Sequence, residues 1–259
     1  MIRREITYFL TALMFFTRIP CPKGLEYSDK NMQKSRKYFP FIGWIVGAIA
    51  VLVYWGASYV FSPVISIILS MIASVLTTGA FHEDGFTDVC DGFGGGWGKE
   101  KILTIMKDSR IGAYGGIGII LLLGLKFAVL YELDKNNKWL MMFTLFNAHI
   151  TSRFIASTMV QTHEYVQDID QSKSKPLASQ KLSGLEMIYS SLFMLIPLAI
   201  FQNLWILLVL PTTYLSKMYL GYYFKKHIGG YTGDCLGTTQ QISEMVFYLT
   251  VLGIWKFIS

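Results

Sequence analysis

Charge is scarce in this chain. Of its 259 residues only 15% are Asp, Glu, Lys or Arg, against roughly 25% in an ordinary soluble domain. That shortage argues against a water-soluble globule. Cysteine is equally thin: Cys21, Cys90 and Cys235 stand apart with no Cys-x-x-Cys pair, which speaks against a disulfide framework or a structural zinc site. No internal repeat is visible, and Gly94-Gly95-Gly96 lacks the Gly-Lys-Ser/Thr ending of a phosphate-binding loop. No cleavable leader is expected, because the first apolar run, residues 6–16, ends in Thr-Arg-Ile-Pro rather than a small-residue cleavage site. The net charge of +6 forms no continuous basic stripe, so a nucleic-acid groove is not indicated.

Apolar residues fill the space, at 53% of the chain with a mean hydropathy of +0.42. They fall into long runs at about 38–61, 63–81, 111–131, 139–160, 185–201, 204–224 and 242–258, each near the length that crosses a hydrocarbon core of ~30 Å, the fifth and seventh being short. The expected fold is therefore all-α: one polytopic integral membrane domain over 1–259, with about six or seven spans plus short interfacial helices. Residues 1–37 are read as an N-terminal segment at the inner surface, its run of apolar residues being too short to span. Loops at 82–110 and 225–241 carry the polar motifs.

Basic residues orient these spans. With the N-terminus inside, inner segments hold eight Lys or Arg before Tyr38, four from Lys99 to Arg110, three from Lys173 to Lys181, and Lys225 with Lys226. Outer loops hold Lys135 and Lys138, with Lys256 near the last outer end. This asymmetry places every polar motif on the cytoplasmic face of an inner membrane.

The stretch His82-Glu83-Asp84-Gly85-Phe86-Thr87-Asp88-Val89-Cys90-Asp91-Gly92 leaves the second run. Continued as helix, it puts Asp84, Asp88 and Asp91 at i, i+4 and i+7 on one face. Three such carboxylates repel unless a cation shares them, and hard oxygen ligands suit Mg²⁺. Gly94-Gly95-Gly96 then reads as a hinge, and 99–110 as a short surface helix ending in Lys107-Asp108-Ser109-Arg110. Those two cations either hold phosphate oxygens or anchor the inner surface. Gly112, Gly115, Gly116 and Gly118 read as close helix packing.

Lys126, His149, Arg153 and Lys217 lie within apolar runs, where ionisable groups are functional candidates. Arg153 is the strongest, Lys126 needs a buried partner, Lys217 can snorkel, and His149 reads as a hydrogen-bonded helix contact. The last inner loop, Gly229-Gly230-Tyr231-Thr232-Gly233-Asp234-Cys235-Leu236-Gly237, suggests an anion or sugar site. Gln241 and Glu244 follow on faces able to turn back toward it.

The motifs His82–Gly92, Met106-Lys107-Asp108-Ser109-Arg110-Ile111-Gly112 and Gly230–Gly237 together resemble the cobalamin-5′-phosphate synthases, also called adenosylcobinamide-GDP ribazoletransferases. Phe16-Thr17-Arg18-Ile19-Pro20 and Phe39-Pro40-Phe41-Ile42-Gly43 extend the likeness over nearly the whole chain. Glu83 and Cys90 sit at spacer positions and inherit no role. The resemblance implies that adenosylcobinamide-GDP and α-ribazole 5′-phosphate (or α-ribazole) give adenosylcobalamin 5′-phosphate (or adenosylcobalamin) and GMP, with Mg²⁺, in a bacterial or archaeal inner membrane.

On that footing Asp84, Asp88 and Asp91 would hold one or two Mg²⁺ ions on the diphosphate, and His82 or a cluster carboxylate would take the hydroxyl proton. Substrate contacts would fall to Lys107, Asp108, Arg110, Arg153, Thr232, Asp234, Gln241 and Glu244. Two other readings compete: a lipid-headgroup transferase of the CDP-alcohol phosphotransferase type, and a secondary transporter, which would need polar groups near mid-bilayer and a repeat. The first fits less well, because its motif continues Asp-Gly-x-x-Ala-Arg, and no Ala-Arg follows here.

Overall fold

The computed structural model describes residues 2–25, 28–166 and 181–258, with the side chains of 256–258 left aside. Expectations placed on Lys173, Lys175 and the Lys256 side chain lie outside what it describes. The described residues form helices joined by short turns, with a single parallel bridge between Tyr165 and Tyr231. In order these helices are α1 (Ile2–Phe16), α2 (Asp29–Ser35), α3 (Phe39–Ala57), α4 (Pro63–Thr78), α5 (Phe81–Gly95), α6 (Lys99–Met106), α7 (Ala113–Asn136), α8 (Lys138–Thr162), α9 (Gly184–Leu198), α10 (Val209–Ile228) and α11 (Gly233–Ile258).

The bundle is built around α8, which is buried on nearly all sides. Helix α3 presses onto it through glycine: a Cβ on Gly43 would sit 2.6 Å from the Ile150 Cα, and one on Gly47 would sit 2.9 Å from the Phe146 carbonyl oxygen. Helix α11 closes the other side, with Phe247, Tyr248 and Val251 in the same core as Met141, Leu145 and Ile150. A second core joins Ala12, Leu13 and Phe16 of α1 to Met32, Phe39, Ile42 and Val46. Fifteen residues long, α1 measures about 22 Å and is too short to span.

Among the described residues four stretches are long and apolar enough to cross a membrane: Asp29–Ala57, Ala113–Asn136, Gly184–Phe201 and Leu204–Ile228. A fifth is added if the bent pair α4 and α5 counts as one. The chain is a membrane protein, but the expected six or seven spans are not confirmed by hydropathy. The shortfall has a physical source. Helices α8 and α11 hold 25 and 26 residues, long enough at about 1.5 Å per residue. Yet they carry buried Asn147, His149, Ser152 and Arg153, and Gln240, Gln241, Ser243 and Glu244, turned toward protein rather than lipid.

The turn that matters most lies between α4 and α5. Helix α4 ends in a Schellman motif, with the Gly79 N–H donating to the Leu76 carbonyl and the Ala80 N–H to the Val75 carbonyl. Gly79 and Ala80 are both left-handed, at φ +67° and +58°, a conformation that is strained for alanine. Helix α5 consequently leaves at 89° to α4.

Candidate active site

Helix α5 keeps the expected register, and its three aspartates separate by environment. Asp84 is exposed, Asp88 half-buried and Asp91 buried. The Asp91 carboxylate accepts the N–H groups of Gly112 (2.7 Å) and Gly115 (2.8 Å), capping α7 from a neighbouring helix. Only glycine allows this, since a Cβ at either position would run into the carboxylate. These glycines therefore serve Asp91 as well as helix packing. Expected as a metal ligand, Asp91 is already committed to a helix N-terminus, where a carboxylate is favoured.

Asp234 lies near the other two, its charge acting on Asp88 and that of Asp84 on it. It sits in the first turn of α11, which α5 approaches closely: a Cβ on Gly85 would lie 3.0 Å from the Asp234 Cα. Gly237 packs onto His82 and Gly85 in the same way, and the Thr238 hydroxyl donates to the Gly85 carbonyl at 3.2 Å. The acidic stretch and the glycine-rich loop, about 150 residues apart in the chain, are thus in backbone contact. Thr232 is buried and caps α11, its Oγ1 accepting the Cys235 N–H at 3.3 Å. Tyr231 pairs with the segment after α8, exchanging N–H···O bonds of 3.0 Å with Glu164 and Val166.

This opening gathers negative charge. Partial burial, then the Asp234, Asp84 and Asp91 charges, push the Asp88 carboxyl up to about 7. Burial and the Asp84 charge raise Asp234 to about 6. Among the described residues no group of three His, Cys, Asp or Glu side chains stands close enough together to hold a metal ion by itself. Mg²⁺ does not require such a group, since it keeps several waters and is bound by one or two carboxylates together with ligand phosphates. A half-open set of hard oxygen donors, destabilised by mutual repulsion, suits such an ion.

The remaining expected residues divide in two. Lys107, Asp108 and Arg110 lie at the entry to α7, close to the site because Asp91 binds Gly112. Both cations are exposed, and Arg110 already forks onto Asp108, with Nη2 2.6 Å from Oδ2. His82, Arg153, Gln241 and Glu244 lie inside the protein instead. His82 stacks on Phe39 at 5.9 Å, on the side of α5 facing away from Asp84 and Asp88, so it is not presented to a hydroxyl arriving at the carboxylates. Arg153 donates to the His149 carbonyl at 2.8 Å and lies 6.0 Å from the Phe39 ring centre. It is a core residue rather than an exposed phosphate clamp.

Around Glu244 a buried network is nearly closed. Lys126 Nζ donates to Glu244 Oε1 (2.8 Å) and Gln241 Oε1 (2.6 Å), Gln240 Nε2 donates to Glu244 Oε2 (2.8 Å), and Tyr248 donates to Oε1 (3.0 Å). His149 Nδ1 lies 3.4 Å from Oε2. Gln241 then reaches out, donating to Glu83 Oε1 at 3.0 Å. Lys126 has the partner that its position demanded, and Gln241 and Glu244 are spent on it. Lys217 is likewise buried, donating to Thr162 Oγ1 at 2.7 Å. Gly94, expected in a hinge, is helical and packs against the Tyr114 ring. Glu83, Gln240 and Tyr248 were missed by sequence reasoning. The i, i+4, i+8 spacing of Gln240, Glu244 and Tyr248 was the available signal for two of them.

The model of one protein family, described as cobalamin-5-phosphate synthase, matches residues 8–252. The chain belongs to that family. Among its curated relatives, the adenosylcobinamide-GDP ribazoletransferase of Leptospira interrogans is 45% identical over 99% of both chains. The Shewanella frigidimarina protein of that name is 43% identical, covering 97% of this chain and 96% of its own. One from Vibrio cholerae is 42% identical over 97% and 95%. No solved structure matches. The cobalamin-5-phosphate synthase match takes in all of α5, the α6–α7 entry and the glycine-rich loop, so the converged elements lie wholly inside it.

Proposed function

We infer that this chain is an adenosylcobinamide-GDP ribazoletransferase, joining adenosylcobinamide-GDP to α-ribazole 5′-phosphate or α-ribazole. The products are adenosylcobalamin 5′-phosphate or adenosylcobalamin, and GMP. The carrying observation is the contact of Gly237 and Thr238 with His82 and Gly85, which joins two distant motifs into one carboxylate-lined opening. In the reaction a ribose hydroxyl oxygen bonds to the phosphorus on the cobinamide side, the bond to the GMP phosphate breaks, and the hydroxyl proton is released.

Catalysis of phosphoryl transfer rests mainly on positioning and charge neutralisation. Asp84, Asp88 and Asp234 would hold Mg²⁺ there, and the ion supplies neutralisation of the diphosphate charge. Asp91 holds α7 against α5 and so fixes where Lys107 and Arg110 enter. Those two cations remain near enough for substrate phosphates, with Arg110 exchanging Asp108 for a phosphate of like geometry. A carboxylate of the open cluster, rather than His82, faces the attacking hydroxyl. The positive-inside pattern supports an active site on the cytoplasmic face of the inner membrane.

The buried Lys126–Glu244 network is the one feature that favours a transporter. It is filled with protein partners, however, and reaches the acidic helix through Glu83. Purified chain in lipid discs, supplied with both substrates and Mg²⁺, is expected to release GMP. Substrate uptake by proteoliposomes without GMP release would overturn the transferase reading.

A further inference from the structure

The Phe16-Thr17-Arg18-Ile19-Pro20 turn lies outside the carboxylate cluster, yet Arg18 is held with unusual care. The chain is pinned on both sides of it. The Thr17 hydroxyl donates to the Leu13 carbonyl at 2.7 Å and accepts the Ile19 N–H at 3.2 Å. The Arg18 N–H itself donates to the Thr77 carbonyl at 2.8 Å, at the end of α4. Its side chain then lies flat on Gly79, where a Cβ would run into Nε and come within 2.9 Å of Cγ. Because Gly79 is left-handed at φ +67°, the turn needs glycine there in any case. The result is a fixed stem carrying an exposed head.

That stem sits on Gly79, two residues before α5 begins. Phe81 packs edge-on against Phe15 and Phe16, with ring centres 5.4 and 6.2 Å apart, immediately before Arg18. Phe81, Asp84 and Asp88 stand at i, i+3 and i+7, so α1 exits along the side of α5 that bears the two aspartates. The Asp84 N–H bonds to the Ala80 carbonyl at 2.8 Å, one residue past Gly79. Helical side chains lean toward the N-terminus, which tips Asp84 toward the break where Arg18 lies. Lys37 and Arg110 have carboxylate partners, whereas Arg18 has none among the described residues.

We propose that Arg18 binds a phosphate of the GDP-bearing substrate at the α4–α5 break, opposite the Lys107–Arg110 end of the same face. A guanidinium forks onto phosphate oxygens with two parallel hydrogen bonds. This assignment rests on the transferase reading above. A lipid headgroup offers the same phosphate chemistry, and the test separates the two sources.

The experiment measures GMP release by purified chain in discs of neutral lipid and in discs containing anionic lipid. Arg18→Ala is expected to raise KM for adenosylcobinamide-GDP about ten- to a hundredfold, the loss of one charge-assisted contact. KM for α-ribazole 5′-phosphate and the Mg²⁺ dependence should stay put in both discs. Arg18→Lys, which keeps the stem on Gly79, should raise KM about tenfold and guards against a folding defect in the first variant. Lys101→Ala, at an exposed position of α6, should change nothing. Unchanged KM in both Arg18 variants, or a defect confined to anionic discs, would overturn the assignment alone. A wild-type chain that releases no GMP removes the transferase reading together with it.

Discussion

Glu83 and Asp84 are neighbours in the chain and belong to opposite regimes. Glu83 turns inward, taking a hydrogen bond from Gln241 and through it joining Lys126, Glu244 and Tyr248. Asp84 turns outward to Asp88 and Asp234, whose carboxyls are raised by burial and by neighbouring carboxylates, and among the described residues no ion pair balances them. One region spends its charges on itself; the other leaves them for a ligand. A lysine at mid-helix in a membrane costs roughly 2.5–3.5 kcal/mol, so Lys126 is tolerable because Glu244 and Gln241 meet it. An acidic trio beside water carries a smaller cost and can be kept uncompensated for binding.

Substitutions can break that contrast from either side. Asp88→Asn is expected to lower kcat by about a hundredfold or more while leaving thermal stability unchanged or raised, since it relieves repulsion. Scanning calorimetry beside a GMP-release assay checks both halves, and a destabilised but active variant would reverse the assignment. Lys126→Met should do the opposite, costing about 3–5 kcal/mol by stranding Glu244. Adding Glu244→Gln to it should recover much of the stability, as read by denaturation in detergent. No recovery in the double variant would mean that the pair is not what holds this region.

Smaller effects sharpen the boundary between the regions. Gly85→Ala, which forces a methyl against the Asp234 backbone, should cost about 1–3 kcal/mol of fit and about tenfold in kcat. Full activity there would deny the close approach of α5 and α11. Asp91→Ala removes a carboxylate cap worth about 0.5–2 kcal/mol and should lower stability with the Mg²⁺ requirement unchanged. A shifted Mg²⁺ requirement would return Asp91 to the metal.

Much of this site was legible in residue order. The acidic stretch does form a helix, the glycine-rich loop does meet it, and Lys126 does have a buried partner. What could not be read were facts set by contact between distant segments. Periodicity placed Asp84, Asp88 and Asp91 on one face, but it cannot say that the glycines of α7 receive the last of them. Nor does it reveal a left-handed alanine at position 80, which turns α5 aside and changes what counts as a span. Helices α8 and α11, read from the sequence as apolar runs, fall short of the hydropathy of a span because they carry many polar residues, and those residues are buried inside the protein.

The central claim is that Asp84, Asp88 and Asp234, drawn from two helices, share one divalent ion. Electron paramagnetic resonance of Mn²⁺ titrated into the purified chain tests it most directly. The account predicts a bound-ion signal in wild type and in Asp91→Asn, and its loss in both Asp88→Asn and Asp234→Asn. Binding that survives Asp234→Asn but disappears in Asp91→Asn would contradict it.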